Sequence, residues 1–176
     1  MEITIRRAAA ADLDAVVRVY EHVHDAEEAG PAQVGWIRGV YPARATAEAA
    51  LARGDLFVEE ADGAVVGTGI LNQLQADVYA GAPWQYDAPD DQIMVLHTLA
   101  VDPLAGKRGL GRAFAAFYEQ YAREQGCRYL RIDTNAKNAN ARRFYAGLGY
   151  REIAVRPCTF NGIGIVDLVL LEKKLD

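Results

Sequence analysis

Apolar residues recur along this chain with two periods, near 3.6 and near 2, and the points where one gives way to the other mark out its elements. Ile3–Arg6 alternates as a short strand. From Leu13 the period lengthens, and Leu13, Val16, Val17, Tyr20 and Val23 share one helical face with Asp12 placed to cap it. Gly30-Pro31 stops that helix, a less regular stretch carries Trp36, Ile37 and Tyr41, and an alanine-rich helix is predicted over Ala43–Arg53. Period 2 returns in Leu56–Glu60 and Val65–Asn72, joined by the hairpin signal Ala61-Asp62-Gly63. Gln73–Asp91 is polar, acidic and broken by Gly and Pro, which reads as a long surface loop, and such loops are often functional. Beyond it the pattern predicts a strand over Ile93–Val101, a helix from Leu110 to about Gln125 and a strand over Tyr129–Thr134. A helix over Ala139–Leu148 and strands over Tyr150–Val155 and Ile165–Glu172 complete it, the last after a turn at Asn161-Gly162. The whole is a mixed α/β chain with antiparallel hairpins at both ends, and its 176 residues are expected to form one domain, 1–176.

One junction in this pattern carries chemistry. The strand ending at Val101 passes through Asp102-Pro-Leu-Ala-Gly-Lys-Arg-Gly-Leu-Gly-Arg112 into a helix with Leu110, Phe114, Phe117, Tyr118 and Tyr121 on its apolar face. A helix N-terminus presents unbonded N–H groups and the positive end of its dipole. Gly109 and Gly111 remove side chains that would crowd a phosphate, while Lys107, Arg108 and Arg112 add charge. The P-loop pattern fails here because no Gly-Lys-Ser/Thr closes the loop. The dinucleotide fingerprint fails because Arg-Ala-Phe follows Gly111 and the third glycine is missing.

Charge sharpens that reading. The chain is acidic overall, with a formal net charge of −5, yet Val101–Arg156 holds 11 basic and 5 acidic residues while the remainder holds 8 and 19. A basic segment in an acidic chain points to a local anion site and away from a nucleic-acid partner, whose phosphates the remainder would repel. Cys127 and Cys158 offer neither a disulfide framework nor a metal-ligand set, and no metal is expected. No apolar run reaches the roughly 20 residues of a membrane span, and Met1-Glu-Ile-Thr lacks signal-peptide character. The cytoplasm is the expected compartment, with no membrane partner.

A second block follows the next strand: Asn138-Ala-Asn-Ala-Arg-Arg-Phe-Tyr145-Ala-Gly-Leu-Gly149-Tyr150, a short helix closed by Gly149. With Leu99-Ala-Val-Asp-Pro103 and the glycine loop, in this order and spacing, the chain resembles the GNAT superfamily of acyl-CoA-dependent N-acetyltransferases. The match covers Ile93–Val155. It departs from the family's Arg/Gln-x-x-Gly-x-Gly/Ala at Gly106 and Lys107, so the side-chain contact of the first position passes to Lys107 or Arg108.

The resemblance implies a central, mixed but mostly antiparallel sheet, splayed between its fourth and fifth strands, with helices around it. It implies acetyl-CoA as co-substrate, its pantetheine arm in the splay. Leu99, Ala100 and Val101 would lie along the arm, the amides of Lys107, Arg108, Gly109, Leu110, Gly111 and Arg112 would hold the pyrophosphate, and Asn138 would contact the arm from the other side. Tyr145 would stand near the thioester sulfur.

Acetyl transfer to a primary amine by direct attack in a ternary complex needs a neutral amine, a stabilised oxyanion and a proton for the thiolate. Tyr145, with a phenol pKa near 10, suits the last task, or it is a core tyrosine. His97, two residues before Leu99, suits the first, directly or through water; a core histidine is the other reading. Its spacing puts it on one strand face with Val95 and Leu99. Trp36, Tyr41, Trp84 and Tyr86 are candidates for the wall of a pocket for a small-molecule amine. A non-catalytic acyl-CoA-binding module or sensor is the alternative, and the last strand leaves a homodimer open.

Overall fold

The computed structural model describes residues 1–31, 33–160 and 162–176. Asn161, half of the turn expected before the last strand, lies outside the described residues. Seven strands form one sheet in the order β1-β2-β3-β4-β5-β7-β6, with β1 Ile3–Arg7, β2 Leu56–Ala61, β3 Ala64–Asn72, β4 Ile93–Val101, β5 Tyr129–Asn135, β6 Arg151–Thr159 and β7 Ile165–Lys174. Among the described residues four α-helices flank it: α1 Leu13–Ala29, α2 Arg44–Arg53, α3 Leu110–Glu124 and α4 Ala139–Gly147. All adjacent strand pairs are antiparallel except β4–β5. The last strand pairs within the sheet on both sides, between β5 and β6.

Each face of the sheet has its own core. Phe57, Met94, Leu96, Leu130 and Ile132 point toward α3 and α4, meeting Phe114, Tyr118 and Tyr145. Val58, Ile70 and Ala100 point the other way, onto Val16, Val19 and Tyr20 of α1 and Ala47 and Ala50 of α2. Gly69 permits the close approach of α3, since a Cβ there would lie 2.6 Å from Phe114 Cζ. The hairpin Asp62-Gly63 has both residues at positive φ (51° and 82°), the two-residue turn that matches strand twist.

Two expectations about α1 are corrected. Asp12 does not cap the helix; its carboxylate accepts from Ala9 N at 2.7 Å and pairs with Arg6 at 2.8 Å. The buried stripe runs through Val16, Val19, Tyr20 and His24, with Val17 at its margin, because α1 must face both β3 and α2. His24, buried, bonds through Nε2 to the Pro42 carbonyl at 2.9 Å and secures the loop between α1 and α2.

The feature that positions the site is a split. β4 and β5 pair from Ile93↔Tyr129 to Leu96↔Ile132 and no further, although β4 continues to Val101 and β5 to Asn135. At the same level β4 bulges against β3: the pairing steps from Ile70↔His97 to Thr68↔Ala100, so Thr98 and Leu99 together oppose Gly69. Thr98 takes φ +52°, a left-handed conformation that is strained in a β-branched residue. Bulges of this kind turn a strand and increase its twist. Here the bulge sits where β4 leaves β5.

Candidate active site

The split opens into two adjoining cavities. The inner one, about 250 Å³, is lined by Leu99, Ala100 and Val101 of β4, Ile132 to Asn135 of β5, and Asn138, Ala141 and Tyr145 at α4. Val34, Gly35, Trp36 and Tyr41 close it from the loop after α1, and Phe160, Val166 and Leu168 from the last hairpin. The outer one, about 600 Å³, is lined by Thr46, Ala49 and Arg53 of α2, Asn72 at the end of β3, Leu74 to Asp77 after it, His97, and Cys158 and Thr159 of β6. Tyr41, Leu96, Thr98, Asp133 and Phe160 line both. Tyr41 bonds through its hydroxyl to Thr98 Oγ1 and packs edge-on to Phe160, ring centroids 5.2 Å apart, which builds the partition between them.

Below the inner cavity, β4 ends in Asp102, whose Oδ1 accepts from Leu104 N at 2.8 Å while Oδ2 meets His22 Nδ1 at 2.9 Å. α1 thus anchors the start of the glycine loop. Gly106 and Gly109 have φ of +79° and +75°, and nothing lies within 4 Å of where their Cβ atoms would stand. α3 begins at Leu110, and its first intrahelical bond runs from Ala113 N to the Gly109 carbonyl at 2.9 Å. The N–H groups of Leu110, Gly111 and Arg112 therefore have no helical partner, the Arg108 amide donates to the Gly106 carbonyl at 3.1 Å, and the side chains of Lys107, Arg108 and Arg112 stand exposed around them. The residues present fit a cradle for a diphosphate.

Tyr145 is buried among Phe144, Tyr150 and the sheet, and its hydroxyl makes no hydrogen bond to a described residue. Burial and the nearby Asp133 carboxylate push its phenol well above the ordinary value, so it remains a proton donor at any working pH. Asn138 caps α4, its Oδ1 accepting from Ala141 N at 3.0 Å, which leaves its amide NH₂ for other partners.

Asp133 was not singled out by the sequence reading. It is the first β5 residue past the last β4 rung, and its side chain lies on the face opposite Ile132, toward the outer cavity. Tyr79 donates to its Oδ2 at 2.7 Å. Burial raises its pKa above the usual carboxylate range, and the Tyr79 bond opposes that rise. Its signal in the sequence was slight: a lone acid in the apolar strand Tyr-Leu-Arg-Ile-Asp-Thr-Asn.

His97 lies in the outer cavity and does not line the inner one. Its expected alignment with Leu99 is corrected by the bulge: His97 stays on the face of Val95, while Leu99 turns to the α3 side. Its Nε2 meets Asn72 Oδ1 at 2.7 Å. Asn72 Nδ2 donates to Asp55 Oδ2 at 2.9 Å, which fixes the amide so that its oxygen faces the imidazole and Nε2 must carry the hydrogen. Burial is the main cause that lowers the His97 pKa to about 4, with Arg53 adding to it and Asp55 and the Leu74 backbone opposing. The ring is therefore neutral.

Of the four aromatic candidates, Trp36 and Tyr41 line the inner cavity; Trp84 and Tyr86 line neither. Trp84 covers the Arg131 guanidinium, 4.1 Å from its ring, and packs on Tyr79, while Tyr86 packs against Tyr129 at 5.7 Å. Both sit at the opposite end of β5 from the split. The buried Arg131 draws the 73–92 segment there, donating to Gln75 Oε1 at 2.6 Å and to the Tyr86 carbonyl at 3.2 Å. A buried cation needs such partners.

Residues 16–150 match the model of the acetyltransferase (GNAT) family. The chain belongs to the GNAT acetyltransferase family. Curated proteins give no match. Among solved structures, a GNAT-family acetyltransferase from Streptococcus agalactiae superposes with a TM-score of 0.82 at 20% identity, covering 99% of this chain and 96% of that one. A Salmonella typhimurium protein solved with its cofactor acetyl-CoA gives 0.67 at 24% identity over 99% and 94%. The ribosomal-protein-S18-alanine N-acetyltransferase of Escherichia coli gives 0.70 at 18% over 99% and 95%. At these identities the likeness is one of GNAT fold, and the strand order and the β4–β5 split are its local expression.

Proposed function

We propose that this GNAT domain transfers an acetyl group from acetyl-CoA to a primary amine, by direct attack within a ternary complex. The observation that carries the reading is the split, with a diphosphate cradle at one end and a buried, unpartnered phenol, Tyr145, beside a carboxylate at the other. The pantetheine arm would lie along Leu99–Val101 with Asn138 across from it. The amides from Lys107 to Arg112 would receive the phosphates.

The amine would approach from the outer cavity. Its lone pair forms the C–N bond, the C–S bond breaks, and Tyr145 gives its proton to the departing thiolate. Asp133 accepts the proton the amine must lose, since it is the titratable carboxylate that faces both cavities. Its buried setting supports that role by making it more basic than a surface carboxylate. The proton taken up by Asp133 then restores Tyr145, so that both groups return to their starting states as CoA and the acetylated amine leave. The original base candidate, His97, is kept as the second reading on one observation: its neutral ring lines the outer cavity.

The test is free-thiol release from acetyl-CoA across a broad amine panel, with mass detection of the acetylated amine. Amine-dependent release supports the enzyme. Tight acetyl-CoA binding without turnover on any amine would favour a non-catalytic sensor.

A further inference from the structure

The outer cavity has a definite electrical character. Two carboxylates line it, Asp133 at its junction with the inner cavity and Asp77 in the outer part only. Both bear on Cys158 between them, where burial and the two negative charges hold the thiol protonated. Arg53 is the one cation on the wall among the described residues, and it is engaged: its Nε donates to Asp55 Oδ2 at 2.9 Å. That same oxygen takes the Asn72 amide, and Asn72 Oδ1 takes Leu74 N at 3.0 Å as well as His97 Nε2–H. The chain Arg53–Asp55–Asn72–His97 thus ends in an uncharged imidazole on the cavity wall. The wall therefore presents carboxylates and a neutral ring, with its positive charge neutralised.

We infer that the acceptor is a small aliphatic diamine or polyamine: one amine is placed at Asp133 for acetylation, while a second ammonium group is held in the outer cavity by Asp77, beside the uncharged His97. A monoamine would leave Asp77 without a partner. An amino acid would bring a carboxylate against Asp77 and a wall that cannot protonate to receive it. The inference rests on the acetyltransferase reading and specifies its acceptor.

Three acceptors of equal chain length test it: 1,4-diaminobutane, butylamine and 4-aminobutanoate, in steady-state assays with saturating acetyl-CoA. The expected order of kcat/KM is diamine first, monoamine at least roughly tenfold lower and amino acid lowest, as differential pairing of one charge requires. Asp77→Asn is expected to raise KM for the diamine several-fold, leave its kcat in place and leave butylamine unaffected. Asn72→Ala, which frees the imidazole, is expected to weaken the preference for the diamine over butylamine. Equal use of diamine and monoamine, better use of 4-aminobutanoate, or an Asp77→Asn variant unchanged toward the diamine would each overturn the inference. If the diamine is refused while another amine in the broad panel is acetylated, the inference fails and the enzyme reading stands. If no amine turns over, both fail.

Discussion

In the proposed reaction three side chains would divide the chemistry between them, each by virtue of where the backbone leaves it. Tyr145 is a poor acid in water and its burial makes it a poorer one, so it keeps its proton at any working pH and would give it up only as negative charge builds on the departing sulfur. Tyr145→Phe is expected to lower kcat by about 10² while the Kd for acetyl-CoA stays within twofold, checked by rapid-quench kinetics and calorimetry. Asp133→Asn is expected to lower kcat/KM by a similar factor and to remove the acid limb of the pH profile. That limb belongs to a carboxylate with a raised pKa: activity falls as pH drops through it. His97→Gln should leave that limb in place, because an imidazole at about 4 is already neutral across the working range. A limb lost with His97→Gln and kept with Asp133→Asn would restore His97 as the base. Tyr145 was legible from its motif. Asp133 was not, because one acid in a strand has no pattern, and only the strand pairing shows that it sits one residue past the last rung.

At the level of elements, period and punctuation foretold most of the sheet. Ile93–Val101 has its expected bounds, and the other strands begin within a residue or so of their expected starts. The bulge at Thr98 escaped, since nothing in Leu-His-Thr-Leu-Ala announces that two residues will oppose one. That single irregularity separates His97 from Leu99 and sets His97 in the outer cavity. The 73–92 segment also misled: its aromatics suggested a substrate wall, yet Arg131 draws Trp84 and Tyr86 to the far end of β5.

A buried acid in β2 makes a separate prediction. Glu59 is fully buried, faces the α3 side beside Ile5 and Gly67, and neither carboxylate oxygen has a partner among the described residues. Burial raises its pKa to about 7, so the folded protein holds a proton that the unfolded chain releases near the ordinary value of 4.5. The stabilisation this gives relative to an ionised carboxylate is complete below the unfolded pKa and is lost as pH rises to about 7. Glu59→Gln is therefore expected to match the native protein at pH 4 and to exceed it by about 3 kcal/mol at pH 8, measured by urea unfolding. Equal stability at pH 8 would mean that Glu59 is paired or hydrated.

Over the whole molecule, charge and fold divide the labour. Most of the positive charge lies between Val101 and Arg156, the segment that builds the glycine loop, β5 and α4, while the acidic remainder supplies α1, α2 and the 73–92 segment. An anionic co-substrate and a cationic acceptor would thus be drawn to opposite sides of one sheet. KM for acetyl-CoA is expected to rise roughly threefold between low and high salt, because Lys107, Arg108 and Arg112 are exposed and screened. The central claim is that the β4–β5 split brings a thioester to an amine. The direct measurement is the stoichiometry of CoA released to acetylated amine formed, for the native protein and Tyr145→Phe. One-to-one release that requires the amine and slows about 10²-fold in Tyr145→Phe is the expected result. CoA release that ignores the amine, or an unchanged rate in Tyr145→Phe, would contradict it.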